Sequence, residues 1–150
     1  MSSPEPPPPI RLPDDAHPDP SFIGRGIRFP MAVDHRGAIA TVSGPESVES
    51  AIRVILSTAP SERVMRPMFG CRIWDLLFEP VNANTIGLMV RAVREAIAQW
   101  EPRVILHDVI VTPDPDDGGL VRIFLTYEIR TTNDRRNLVY PFYVIPREEP

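Results

Sequence analysis

The residues able to do chemistry in this chain are two carboxylates in apolar settings, one cysteine, three histidines and an acidic cluster beside glycine. Cleavage of a sugar chain needs two carboxyl groups about 5–10 Å apart, one of them in apolar surroundings. Glu79 and Glu101, each next to a proline and apolar residues, are the candidates for that pair. Either also suits a helix end or an interface. Cys71 has no second cysteine to bridge, which excludes an internal disulfide and fits a reducing compartment. As a nucleophile it would need a nearby base. His17 falls in a proline-rich tail, His35 in a turn, and His107 on a strand beside Asp108, where neighbouring side chains point to opposite faces. A buried, inert thiol is the simpler reading of Cys71. Asp114, Asp116 and Asp117 before Gly118 invite a calcium loop, but counting from Asp114 puts glycine fifth and Leu125 twelfth. That template needs glycine sixth and a bidentate Glu twelfth, so an acidic solvated turn is expected instead. With no HExxH, Cys/His cluster, phosphate loop or GxGxxG, the sequence points to no catalytic residue, metal or cofactor.

The elements that would position these residues belong to one domain. The chain has 150 residues, 43% hydrophobic and 24% charged, ordinary values for a globular protein. Eight of its nineteen prolines fall within residues 1–20, which read as a disordered polyproline tail ahead of a domain at residues 21–150. The net charge of −4 argues against nucleic acid as the main partner. All sixteen basic residues are Arg, whose planar fork suits interfacial ion pairs. No apolar run approaches the roughly 18 residues that span a bilayer, and no signal peptide is visible, so cytoplasmic synthesis and assembly are expected.

Residues 27–42 form two short extended pieces around a turn at residues 34–37. Gly44-Pro45-Glu46 starts a helix with Val48, Ala51, Ile52 and Ile55 at helical spacing, closed by Pro60. Pro67 and Gly70 keep residues 61–71 irregular, and residues 73–78 make one or two helical turns. A second helix opens at Asn82 or Asn84 with the stripe Ile86, Met89, Val90, Val93, Ile97 and Trp100, and Pro102 ends it. Three strands follow, at residues 104–112, 120–130 and 138–145, with a polar turn at residues 131–137. In the middle strand Val121, Ile123, Leu125, Tyr127 and Ile129 share one face. The expected fold is α+β, two helices packed on a C-terminal three-stranded antiparallel meander with short extended N-terminal pieces.

Three segments carry a resemblance. Ser61-Glu62-Arg63-Val64-Met65-Arg66-Pro67-Met68-Phe69-Gly70-Cys71, then Asp75-Leu76-Leu77-Phe78-Glu79-Pro80, then Glu101-Pro102-Arg103 stand in this order. They resemble the gene 25 product-like baseplate wedge family, as do Ile27-Arg28-Phe29-Pro30 and the turn at Gly37. The likeness spans residues 24–145, with Ser61 where the family usually has Gly. Such proteins occur in contractile phage baseplates, type VI secretion baseplates and extracellular contractile injection systems. The resemblance implies a structural subunit incorporated into a baseplate. It would touch larger wedge proteins and the first sheath ring, with spike or hub proteins as further neighbours, and would need neither cofactor nor nucleic acid.

A meander that ends the chain leaves an edge of unpaired N–H and C=O groups, suited to pairing with a sheath strand. Tyr140, Phe142 and Tyr143 on the last strand would belong to that platform, against which Pro141 and Pro146 would close the edge. Pro102 fixes Glu101 and Arg103 at an abrupt corner. They would serve either an interfacial ion-pair network or an internal bridge, Glu101 to Arg63 or Arg66. The family resemblance favours the interface for these residues. The rivals are a peptidoglycan-cleaving enzyme with Glu79 or Glu101 as acid, and a self-associating adaptor unrelated to tails.

Overall fold

The computed structural model describes residues 20–145, so the tail expected at residues 1–20 lies almost wholly outside them, as does Pro146. One 3-10 turn, Pro20–Ile23, leads into strand β1 (Arg25–Ile27), which pairs antiparallel with β2 (Thr41–Ser43). The turn between them forms at the expected place. The Asp34 carboxylate accepts the N–H groups of Arg36 and Ala38 at 2.8 and 3.0 Å. Gly37 there takes a φ of 80°, open to a residue without Cβ.

Helix α1 (Pro45–Ser57) has proline in its first turn beside Glu46 and buries Val48, Ile52, Ile55 and Leu56. It stops before Pro60, because the hydroxyl of extended Thr58 donates to the Val54 carbonyl at 2.6 Å and satisfies a terminal acceptor. A 3-10 helix at Arg72–Leu76 sets Ile73 in the core. Helix α2 (Ala83–Trp100) opens at Asn82, whose side chain accepts the Thr85 N–H at 3.0 Å. Met89, Val93 and Ile97 of the expected stripe are buried.

Strands β3 (Val104–Pro113), β4 (Leu120–Ile129) and β5 (Asp134–Tyr143) form one antiparallel sheet in that order. Every odd residue of β4 from Val121 to Ile129 is buried against the helices. Two local expectations need correction. The last strand begins at Asp134 rather than at residue 138, because Arg135 faces Glu128 across the ladder and Arg136 pairs with Asp134 at 2.7 Å. The connection shrinks to residues 130–133, with Asn133 at φ 50°. Secondly, a bulge between Leu106 and Asp108 breaks the alternation assumed for His107 and Asp108, and both are exposed.

Candidate functional site

The corner between α2 and β3 is an internal clamp. Glu101 is 3% exposed. Its two carboxylate oxygens accept from Arg103 Nε and Nη2, each at 2.7 Å. Arg103 Nη1 also donates to the Ile23 carbonyl at 3.2 Å, tying the corner to the start of the domain. Pro102 stands exposed between the two. The partner of Glu101 is therefore Arg103 and neither Arg63 nor Arg66, because a residue two positions on reaches both oxygens as a fork. The side chain of Arg103 keeps 33% of its surface in solvent, while Glu101 keeps almost none.

Arg63 and Arg66 lie on the loop between α1 and the 3-10 helix. Arg63 stacks over the Phe69 ring at 4.5 Å, and Phe69 packs on Trp100 at 5.2 Å. Arg66 is exposed. The loop is closed at its base by the Ser61 N–H on the Pro67 carbonyl, 2.6 Å, and the Cys71 N–H on the Thr58 carbonyl, 2.9 Å. Ser61 has φ 71°, the left-handed conformation that favours glycine, which is the residue usual here in the family it resembles. At Gly70, φ is 124° and a Cβ would collide with the Thr58 carbonyl.

The last strand leaves an edge. Val144 N–H donates to the Gly119 carbonyl, so even-numbered residues of the unbroken β4–β5 ladder bond to β4. Odd-numbered residues therefore turn their backbone outward, and one of them, Ile145, donates to the Leu77 carbonyl at 2.8 Å. Pro141 is also odd-numbered. Its missing N–H costs the internal ladder nothing and removes one donor from the free edge. The three aromatics separate by the same alternation. Tyr143 is 60% exposed on the outer face, Tyr140 is half-buried on the inner face, and Phe142 is 1% exposed. Phe142 is a core residue, edge-on to Trp74 at 5.1 Å, and offers a partner no surface. Outside the sheet, Ile110, Phe124 and Val139 stand side by side across the three strands, each partly exposed.

The residues weighed for catalysis are engaged in other contacts, exposed, or buried as inert groups. Both oxygens of Glu101 accept from Arg103 and the residue is 3% exposed, whereas Glu79 is exposed. Burial pushes the Cys71 thiol from its ordinary 9.0 up to about 11, the opposite of an activated nucleophile. His107 Nε2 instead meets Glu128 at 2.9 Å. Asp114 and Asp117 accept the N–H groups of Asp116 and Gly119, and Asp114 also pairs with Arg122. Among the described residues no group of three His, Cys, Asp or Glu is placed to hold a metal, and no helix is long and apolar enough to cross a membrane. Sequence reasoning missed Val64, Met65 and Met68, all strongly exposed. Their signal was present: Pro67 and Gly70 deny that stretch any regular face to bury.

Fold and site together define a small α+β protein with a locked corner and an open strand edge. Residues 42–134 match the family described as baseplate wedge protein gp25, and the chain belongs to that family. Baseplate wedge protein gp25 of Enterobacteria phage T4 is 30% identical over 91 residues, covering 61% of this chain and 69% of that protein. A Geobacter sulfurreducens protein provisionally named a tail lysozyme is 45% identical in sequence with a TM-score of 0.66, covering 72% of this chain and 97% of its own. A chain of the anti-feeding prophage baseplate has a TM-score of 0.66 at 29% identity, covering 74% and 89% respectively.

Proposed function

We propose that this chain is a non-enzymatic baseplate wedge subunit of a contractile tail or injection machine, joining larger wedge proteins to the first sheath ring. Family membership supports the wedge role. The open outer edge of β5 is the observation that carries the sheath contact. Its outward N–H and C=O groups at Arg135, Asn137 and Val139 offer a partner strand register-specific pairing. The corner contributes differently. Glu101 holds Arg103, and exposed Pro102 with the solvent side of Arg103 meets a larger wedge protein. Arg63, Arg66 and Tyr143 flank these contacts. Assembly takes place in the cytoplasm and ends in the baseplate, with spike or hub proteins as further neighbours.

The test is co-purification of the tagged full chain from its native host, beside Val139→Pro. That substitution removes an outward donor and leaves the β4 ladder intact. Wild type is expected to recover sheath and wedge proteins, and Val139→Pro to lose the sheath alone. Sheath recovery by the variant would refute edge pairing, and absence of any tail component with wild type would refute the wedge reading.

The name given to the Geobacter relative favours a second reading, cleavage of peptidoglycan. The occupied oxygens of Glu101 weigh against it. Clearing of a peptidoglycan suspension by the purified chain, abolished by Glu79→Gln, would establish it. Stable homodimers that bind no tail protein would point to a self-associating adaptor instead.

A further inference from the structure

The loop between α1 and the 3-10 helix turns three large apolar side chains outward: Val64 is 94% exposed, Met65 91% and Met68 73%. Scattered apolar residues are common on surfaces, but adjacent side chains this exposed at one tip are a concentrated apolar feature. The loop that carries them is not slack. Besides its closed base, Arg66 N–H donates to the Arg63 carbonyl at 3.2 Å, and Phe69 N–H to the Arg66 carbonyl at 3.1 Å. The Glu62 carboxylate turns back to accept the Ala59 N–H at 2.9 Å. The stack of Arg63 on Phe69 on Trp100 fastens the loop to the end of α2. A tip already held in one shape loses little conformational freedom when it binds.

Charge narrows what it fits. Arg63 and Arg66 bracket Val64 and Met65, while the nearest acid along the chain, Glu62, is engaged at the loop base. The tip is therefore apolar with cationic flanks, on a chain whose net charge is −4. The two guanidiniums give the tip a local match to carboxylates, which they can hold bidentately.

We propose that Val64 and Met65, backed by Met68, form a docking knob for an apolar pocket rimmed by carboxylates on a larger wedge protein. The proposal rests on the wedge reading above. Methionine suits such a knob, because its unbranched side chain adapts to the pocket it enters.

The test uses the purified full chain with larger wedge proteins from its native host, reading Kd by titration and folding by thermal melting. Val64→Ser with Met65→Ser is expected to weaken binding about tenfold or more at unchanged Tm, and Val64→Ile with Met65→Leu to stay within about twofold. Arg66→Glu is expected to weaken binding more than Arg66→Leu. Equal effects of those two would overturn the carboxylate rim. A serine double variant that binds as wild type would overturn the knob while leaving the wedge reading in place. Wild type that binds no wedge protein would remove the wedge reading and the knob with it. Flotation of wild type, but not the serine variant, with phosphatidylglycerol vesicles in the absence of wedge proteins would overturn the proposal in favour of a membrane contact.

Discussion

Replacing Arg103 with Ala should cost far more than an ordinary surface arginine. Glu101 is 3% exposed, and the substitution strips both guanidinium hydrogen bonds, each 2.7 Å long, from a carboxylate that stays inside with only the 3.4 Å bond from the Arg103 backbone N–H. Hydrogen bonds to charged groups contribute roughly 1.5–3 kcal/mol each, and breaking a buried pair from one side costs about 3–5 kcal/mol. The Arg103 side chain is 33% exposed, so water can reach part of the gap and lower the cost to about 2–4 kcal/mol. For a chain of this size that is a fall in Tm of roughly 10 °C. Adding Glu101→Gln to Arg103→Ala should restore about 1–2 kcal/mol, since a neutral amide is cheaper to leave unpaired than a carboxylate. Thermal and urea unfolding of wild type, the single variant and the double variant read these values directly. If Arg103→Ala stays within about 0.5 kcal/mol of wild type, or if the double variant is no more stable than the single one, the pair is not what holds the corner.

Ser61→Gly should raise stability by about 0.5–1 kcal/mol in urea unfolding, because it removes a side chain from a left-handed backbone. Gly70→Ala should lower stability by about 2–4 kcal/mol, since the new Cβ meets the Thr58 carbonyl; a neutral result would mean the loop base yields. Burial raises the Cys71 thiol to about 11 and the Tyr127 hydroxyl to about 12, from 9.0 and 10.0. The unfolded chain therefore ionises first. Their contribution is intact below pH 9.0 and 10.0 and is lost as pH climbs through about 11 and 12, which a pH series of urea melts checks. Alkylation of Cys71 at about pH 8 should proceed only as fast as the protein opens. Asn82→Ala should cost about 1 kcal/mol of thermal stability by removing the cap from α2.

The parts legible in the sequence were those governed by local rules. The 2-residue period from Val121 to Ile129 and the helical stripe through Met89, Val93 and Ile97 announced which faces would be buried. Gly44-Pro45-Glu46 announced the start of α1, and the pair Asn82 and Asn84 announced that of α2, where the structure selects Asn82. The start of β5 escaped because Asp134, Arg135 and Arg136 look like turn residues until Glu128 and Asp134 stand opposite and beside them. The bulge at His107 escaped for a similar reason, since nothing local marks an extra residue whose need arises from the partner strand. At the corner, the sequence showed a rigid pair of opposite charges but left its partner open. Only the fold, through the burial of Glu101 and the reach of Arg103 to Ile23, makes the pair internal.

A subunit that waits for its neighbours must survive its own concentration. The free run of β5 supplies outward N–H groups at Arg135, Asn137 and Val139, then Pro141 supplies none, and beyond it only Tyr143 remains before Ile145, already committed to Leu77. Fibrils grow from strand segments of six or seven residues with little charge and no proline. This stretch begins on an arginine and is cut off by a proline, so identical copies find little to stack on. A strand that adds here meets a break in its ladder at Pro141, and the interruption that limits aggregation also fixes the added strand's register.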